Sequence, residues 1–142
     1  MSTPQVEITH SMEFSAAHRL ESPALSAEQN AATYGPCYTD HGHNYQIHVT
    51  VRGPVDGKTG MVMNLVDLAA IIREEVWEPM DHKHLNRDVP FLKGVIPTAE
   101  NLAVVCWERI APRLESFSGC ELREIGIDES RANRVTYRGL RA

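Results

Sequence analysis
The chain has 142 residues, a length suited to one domain spanning 1–142, and its 42% hydrophobic content is slim for a small enzyme, so association between copies would help it. A net charge of -5 disfavours nucleic acid as the main partner, and no leader-like or membrane-length apolar run is visible, so a cytoplasmic protein is expected. Three cysteines without C-x-x-C spacing suit a reducing compartment rather than a disulfide framework.

Residues 6–18 alternate. Val6, Ile8, His10, Met12, Phe14, Ala16 and His18 share one parity, and Glu7, Thr9, Ser11, Glu13 and Ser15 the other. That is the period of a half-buried strand, with His18 closing its apolar face. A loop-rich insert covers residues 19–40. In it, Ser26 and Gln29 read as a capping box for a short helix ending near Gly35. Cys37 follows Gly35-Pro36 in irregular backbone, immediately before a pair of histidines.

From His41 the alternation resumes. His41, His43, Tyr45, Ile47, Val49 and Val51 share a face. Two imidazoles side by side on a buried face need a reason, and a shared metal ion is the best one. If the two strands pair antiparallel, the end of the first lies beside the start of the second, and His18 joins His41 and His43. Three neutral imidazoles leave one position open, the pattern of catalytic rather than structural zinc, with ligand nitrogens at roughly 2.0–2.1 Å. Cys37 is then either a base or nucleophile favoured as thiolate by a nearby cation, or a fourth ligand. His10 and His48 lack such support and read as structural.

Residues 53–60 form a turn, and Met61, Val62 and Met63 a short strand. Asn64 can cap a helix whose apolar stripe is Leu65, Leu68, Ile72 and Val76, with Pro79 stopping it. The loop 80–86 is rich in ionisable groups. Asp81 beside His82 can polarise an imidazole for proton transfer, although a solvated turn has the same composition. Thr98 caps a second helix, Glu100 suits its positive end, and Pro112 marks its frayed exit. Cys106 in that helix and Cys120 after it read as packing residues. Strands at 122–129 and 135–138 close the chain. Glu129 ends the apolar face of Ile125 and Ile127, either as an exposed terminus or as a buried anchor for an amide-like group. The order of two strands, two helices and two strands is that of an α+β layer pair.

Together these features resemble the 6-pyruvoyltetrahydropterin synthase and 6-carboxytetrahydropterin synthase family. Phe14-Ser15-Ala16-Ala17-His18-Arg19-Leu20 looks like its first-histidine motif, and Cys37-x3-His41-Gly42-His43-Asn44 like its cysteine and metal motif. Asp81-His82, Pro97-Thr98-Ala99-Glu100 and Asp128-Glu129-Ser130 match its acid-histidine pair and two pterin-holding segments. The resemblance implies a tunnelling fold: a four-stranded antiparallel sheet with two helices on one face. It implies trimers that close a twelve-stranded barrel and stack as homohexamers. It also implies zinc, 7,8-dihydroneopterin triphosphate as substrate, Cys37 as base, Asp81 and His82 in a proton relay, and Glu129 with Thr98 and Glu100 around the pterin. Ala99 stands where a hydroxyl residue is usual in the family, and Ser130 where threonine is common. The Cys37-to-His41 spacing matches the carboxy-forming branch, so 6-carboxytetrahydropterin with release of acetaldehyde is the expected product. The pyruvoyl-forming reaction is the alternative, because residues 26–30, 60–65 and 81–83 look closer to the animal enzymes. A catalytically silent pterin- or metal-binding homologue is a reading of another class.

Overall fold
The computed structural model describes residues 3–140. Two 14-residue strands dominate it, β1 (Gln5–His18) and β2 (His41–Pro54), paired antiparallel in one unbroken register from Gln5↔Pro54 to His18↔His41. Between them lies helix α1 (Ala27–Tyr34). It carries the expected capping box of Ser26 and Gln29 and ends at Gly35 with φ 55°, a left-handed φ that favours glycine. A 3-10 turn, Gly35–Tyr38, carries Cys37.

Helix α2 (Leu65–Ile72) starts at Asn64, whose side chain accepts from the Val66 N–H. The expected strand at Met61–Met63 does not form: the Met61 carbonyl closes a turn by accepting from the Asp56 N–H at 3.0 Å, and the Val62 carbonyl accepts from Cys120 Sγ at 3.3 Å. Nor does Pro79 stop the helix. The chain passes through a π segment, Arg73–Trp77, into the one-turn helix α3 (Glu78–Met80). Proline has no N–H to give the carbonyl four residues back. That carbonyl, on Glu75, accepts from Arg109 Nε at 2.9 Å instead.

Residues Lys83–His84 then add a two-residue strand, β3, parallel to β1. Helix α4 (Ala99–Ile110) begins at the Thr98 cap and tightens into 3-10 geometry at Ala111–Leu114, where Pro112 sits. Strands β4 (Glu121–Asp128) and β5 (Arg134–Tyr137) finish the sheet within one residue of expectation. The sheet order is β3-β1-β2-β4-β5. The expected four-stranded antiparallel sheet is therefore present, with β3 added at its edge. Two residues are too few to show a period, so that strand left no sequence signal. Helices α2 and α4 cover one face. Phe14, Tyr45, Ile47, Val49, Ile125 and Ile127 of the sheet are buried against Leu68, Ile72, Leu102, Cys106 and Ile110. Full burial pushes the Cys106 thiol up to about 12, in keeping with a packing role. No described helix is long and apolar enough to cross a membrane.

Candidate functional site
The β1–β2 register puts His18 directly opposite His41, with His43 two residues on along the same face. The ring centroids lie 4.5 Å (His18–His41), 5.2 Å (His18–His43) and 5.0 Å (His41–His43) apart. One nitrogen from each falls within 4.8 Å of the others, and among the described residues these three form a group able to hold a metal ion.

The donor set fits such an ion. His18 Nδ1 lies 2.8 Å from the Pro97 carbonyl and His41 Nδ1 lies 2.7 Å from the Thr39 carbonyl. A carbonyl accepts only, so each Nδ1 carries the proton and each Nε2 keeps its lone pair. His43 Nε2 is buried without a hydrogen-bond partner, and its nearest anion is Glu129 Oε1 at 4.0 Å. An orphaned buried nitrogen beside two prepared lone pairs is what a metal would satisfy. Burial lowers the His18 pKa to about 4, reinforced by His41 and His43 and opposed by the Pro97 carbonyl. Burial lowers that of His43 too, against the pull of Glu129. Both rings are therefore neutral at physiological pH, as ligation requires. Tyr45 closes the floor, its ring 5.4 Å from that of His43, and burial followed by the Glu129 charge raises its pKa.

Cys37 stands outside the metal group. Its turn is tied to the segment just after β1 by Leu20 N–H donating to the Cys37 carbonyl at 2.8 Å, and the Arg19 guanidinium lies 4.2 Å over the Tyr38 ring. Asp81 and His82 do meet, although neighbours in sequence. His82 adopts a left-handed backbone, φ 59°, and its Nδ1 lies 2.7 Å from Asp81 Oδ2. Such a φ is uncommon outside glycine, though histidine is among the residues that visit it. Asp81 Oδ1 accepts from the Ser15 N–H at 2.9 Å, and the His82 N–H donates to the Ser15 carbonyl. Partial burial would raise the Asp81 pKa, but the Ser15 N–H and His82 outweigh it and hold the carboxyl below its ordinary value. The imidazole itself is largely exposed, in a cleft of about 480 Å³ shared with Lys83, His84 and the Gly42–Asn44 stretch.

Glu129 borders two further clefts. One, of about 660 Å³, is shared with His43 and Arg131; the other, of about 410 Å³, with Glu100 and Asn133. Thr98 Oγ1 is occupied as the helix cap, accepting from the Asn101 N–H at 3.2 Å. Its neighbour Pro97 links that helix start to His18. Sequence reasoning missed the Pro97 and Thr39 carbonyls, which carry no side-chain signal. It also missed Asp40, which accepts from Arg87 at 2.9 Å and lies 3.1 Å from His84, pinning the residue before His41 to the 82–88 loop. Tyr45 was visible in the alternation, but not as the floor of a site.

The sequence model described as "6-pyruvoyl tetrahydropterin synthase" matches residues 7–140. The chain belongs to the 6-pyruvoyl tetrahydropterin synthase family. A Poecilia reticulata relative named "6-pyruvoyl tetrahydrobiopterin synthase" is 48% identical over 134 residues, 93% of this chain and 89% of its own. The solved Caenorhabditis elegans 6-pyruvoyl tetrahydropterin synthase superposes with a TM-score of 0.91 at 37% identity, covering 99% of this chain and 100% of that one. An Archaeoglobus fulgidus protein named "Putative 6-carboxy-5,6,7,8-tetrahydropterin synthase" is 30% identical over 109 residues, 77% of this chain and 84% of its own. Within this synthase family the fold is the tunnelling fold, and the mixed α+β expectation stands. The product expected from the Cys37-to-His41 spacing fares worse, since the pyruvoyl-named relatives are nearer and cover more of the chain. A residue count is a poor guide to where the thiol sits, because Cys37 lies inside a 3-10 turn that ends at Tyr38 and the chain extends only from Thr39.

Proposed function
We propose that this chain is a zinc-dependent lyase that eliminates triphosphate from 7,8-dihydroneopterin triphosphate to give 6-pyruvoyl tetrahydropterin. The observation that carries the chemistry is the orphaned His43 Nε2, beside two histidines with prepared lone pairs and 4.0 Å from the Glu129 carboxylate. The likeness to pyruvoyl-named relatives carries the choice of product. His18, His41 and His43 hold the zinc, which supplies Lewis-acid polarisation to the oxygens of the substrate side chain. Glu129 accepts paired hydrogen bonds from the pterin N–H groups, with Thr98 and Glu100 beside it. Cys37, as thiolate, takes a carbon-bound proton from the side chain. Asp81 orients His82 and keeps its imidazole ready to carry a proton to or from the side-chain oxygen. Three copies closing a barrel, and two such rings stacked, would bring these groups together between chains in a cytoplasmic homohexamer.

Purified protein incubated with dihydroneopterin triphosphate and magnesium is expected to release triphosphate and no acetaldehyde, with a pyruvoyl product by mass. Stoichiometric acetaldehyde would establish the carboxy-forming reaction instead. Absence of turnover with intact pterin binding would establish a silent homologue.

A further inference from the structure
A row of side chains crosses four strands on the sheet face away from the helices. Ser11 Oγ on β1 lies 2.6 Å from His48 Nδ1 on β2. His48 Nε2 lies 2.8 Å from Asp128 Oδ2 on β4. Arg134 Nε on β5 donates to Asp128 Oδ1 at 2.8 Å. Gly126 makes room for the row. It stands opposite His48, and a Cβ there would already touch His48 Cβ and Arg134 Nε at 3.5 Å, so a longer side chain would part them. Both ring nitrogens of His48 and both oxygens of Asp128 are thereby used.

The order Ser–His–Asp resembles a nucleophile relay. Neither Ser11 nor His48 lines any of the clefts described above, so a substrate has no seat beside the hydroxyl. What the row does reach is the end of β4. Asp128 is the last residue of that strand, and Glu129 follows it on the opposite face. Beyond Asp128 the backbone turns, held by the Glu129 N–H donating to the Asn133 carbonyl at 3.1 Å. Asp128 is thus braced from both neighbouring strands at the point where the carboxylate leaves the sheet.

We propose that the Ser11–His48–Asp128–Arg134 row is a positioning device that holds Glu129 in place for the pterin ring. It rests on the reading of Glu129 as pterin anchor given above. Asp128 and Arg134 each border a cleft that Glu129 also lines, whereas Ser11 and His48 border none, so an effect of changes at His48 on affinity reports backbone placement and not contact with substrate.

The test is a double-mutant cycle on the full-length, zinc-loaded protein, with 7,8-dihydroneopterin as an unreactive probe read by fluorescence. Asp128→Asn keeps the shape but presents an amide N–H₂ where one of two donors must be accepted. It should raise the probe Kd and the substrate KM about tenfold, with kcat and zinc content unchanged. Glu129→Gln should raise Kd at least as much. The two effects should not add, because both act through one carboxylate. His48→Ala should match Asp128→Asn, and His48→Gln, whose amide can still meet Ser11 and Asp128, should recover part of the loss. If Glu129→Gln weakens binding while Asp128→Asn lowers only Tm, or if the effects add, the positioning role is overturned and the anchor reading survives. If Glu129→Gln leaves Kd unaltered, the anchor reading fails and takes this inference with it.

Discussion
Cys37 and His43 are separated by only a few residues, yet they should fail in different ways. His43→Ala removes one of the three proposed ligands, and elemental analysis should show zinc lost with activity. Cys37 lies outside the ligand group, so Cys37→Ala should keep zinc and assembly while turnover falls by about 10² or more. Loss of zinc in Cys37→Ala would make the thiol a fourth ligand. His18 adds a pH signature. Burial holds its pKa at about 4, against 6.5 for an exposed imidazole. In the unfolded chain it protonates near its ordinary value. As pH falls between those limits, the unfolded state takes up a proton that the folded state refuses, so metal-free stability declines over that window and gains nothing from this group above it. The full interval corresponds to about 3 kcal/mol. Urea unfolding of chelator-treated protein from pH 7 to pH 4 should show the decline, and it should flatten in His18→Gln. Much of this was legible in the sequence. Alternation put each histidine on the apolar face of its own strand, because strand parity is rigid, and the assumed antiparallel pairing brought the three together. The carbonyls of Pro97 and Thr39 were not legible, since any residue could have supplied them. The Asp81–His82 contact depends on one left-handed φ that the residue types permit but do not demand.

At the scale of elements, the cap at Asn64 and the capping box at Ser26 were readable because they join specific side chains to specific backbone positions. Pro79 was misleading. Its missing N–H ends a helix only if the orphaned carbonyl has no other donor, and that donor, Arg109, comes from a helix remote in sequence. Arg109 Nη2 also pairs with Glu75 Oε2 at 2.9 Å, and its guanidinium lies 3.8 Å over the Phe91 ring. Arg109→Ala should therefore cost about 2 kcal/mol in denaturant unfolding, with zinc content unchanged. In a Pro79→Ala background the helix regains its own donor, and the cost of Arg109→Ala should shrink. An equal cost in both backgrounds would mean that the arginine acts only through its ion pair and ring contact.

For the whole molecule, the sheet edges are informative. β3 covers β1 only at Ala16 and Ala17, so among the described residues most of the outer edge of β1 is unpaired, and β5 forms the opposite edge. Open edges invite strands from other copies. Sedimentation equilibrium should show a mass of six chains, or of three at low concentration, and a monomer would leave the barrel without support. Val6, Met61, Leu65 and Val66 are also exposed apolar surface that such assembly could cover.

The unbroken pairing of β1 with β2 has a further consequence for how this protein matures. A slip of one residue would turn either His18 or the His41–His43 pair to the opposite face, and a slip of two would separate the partners along the strand. Only the native alignment of both 14-residue strands brings all three imidazoles together. An ion held by all three imidazoles would therefore favour the native register, because a chain paired out of step could not offer them together.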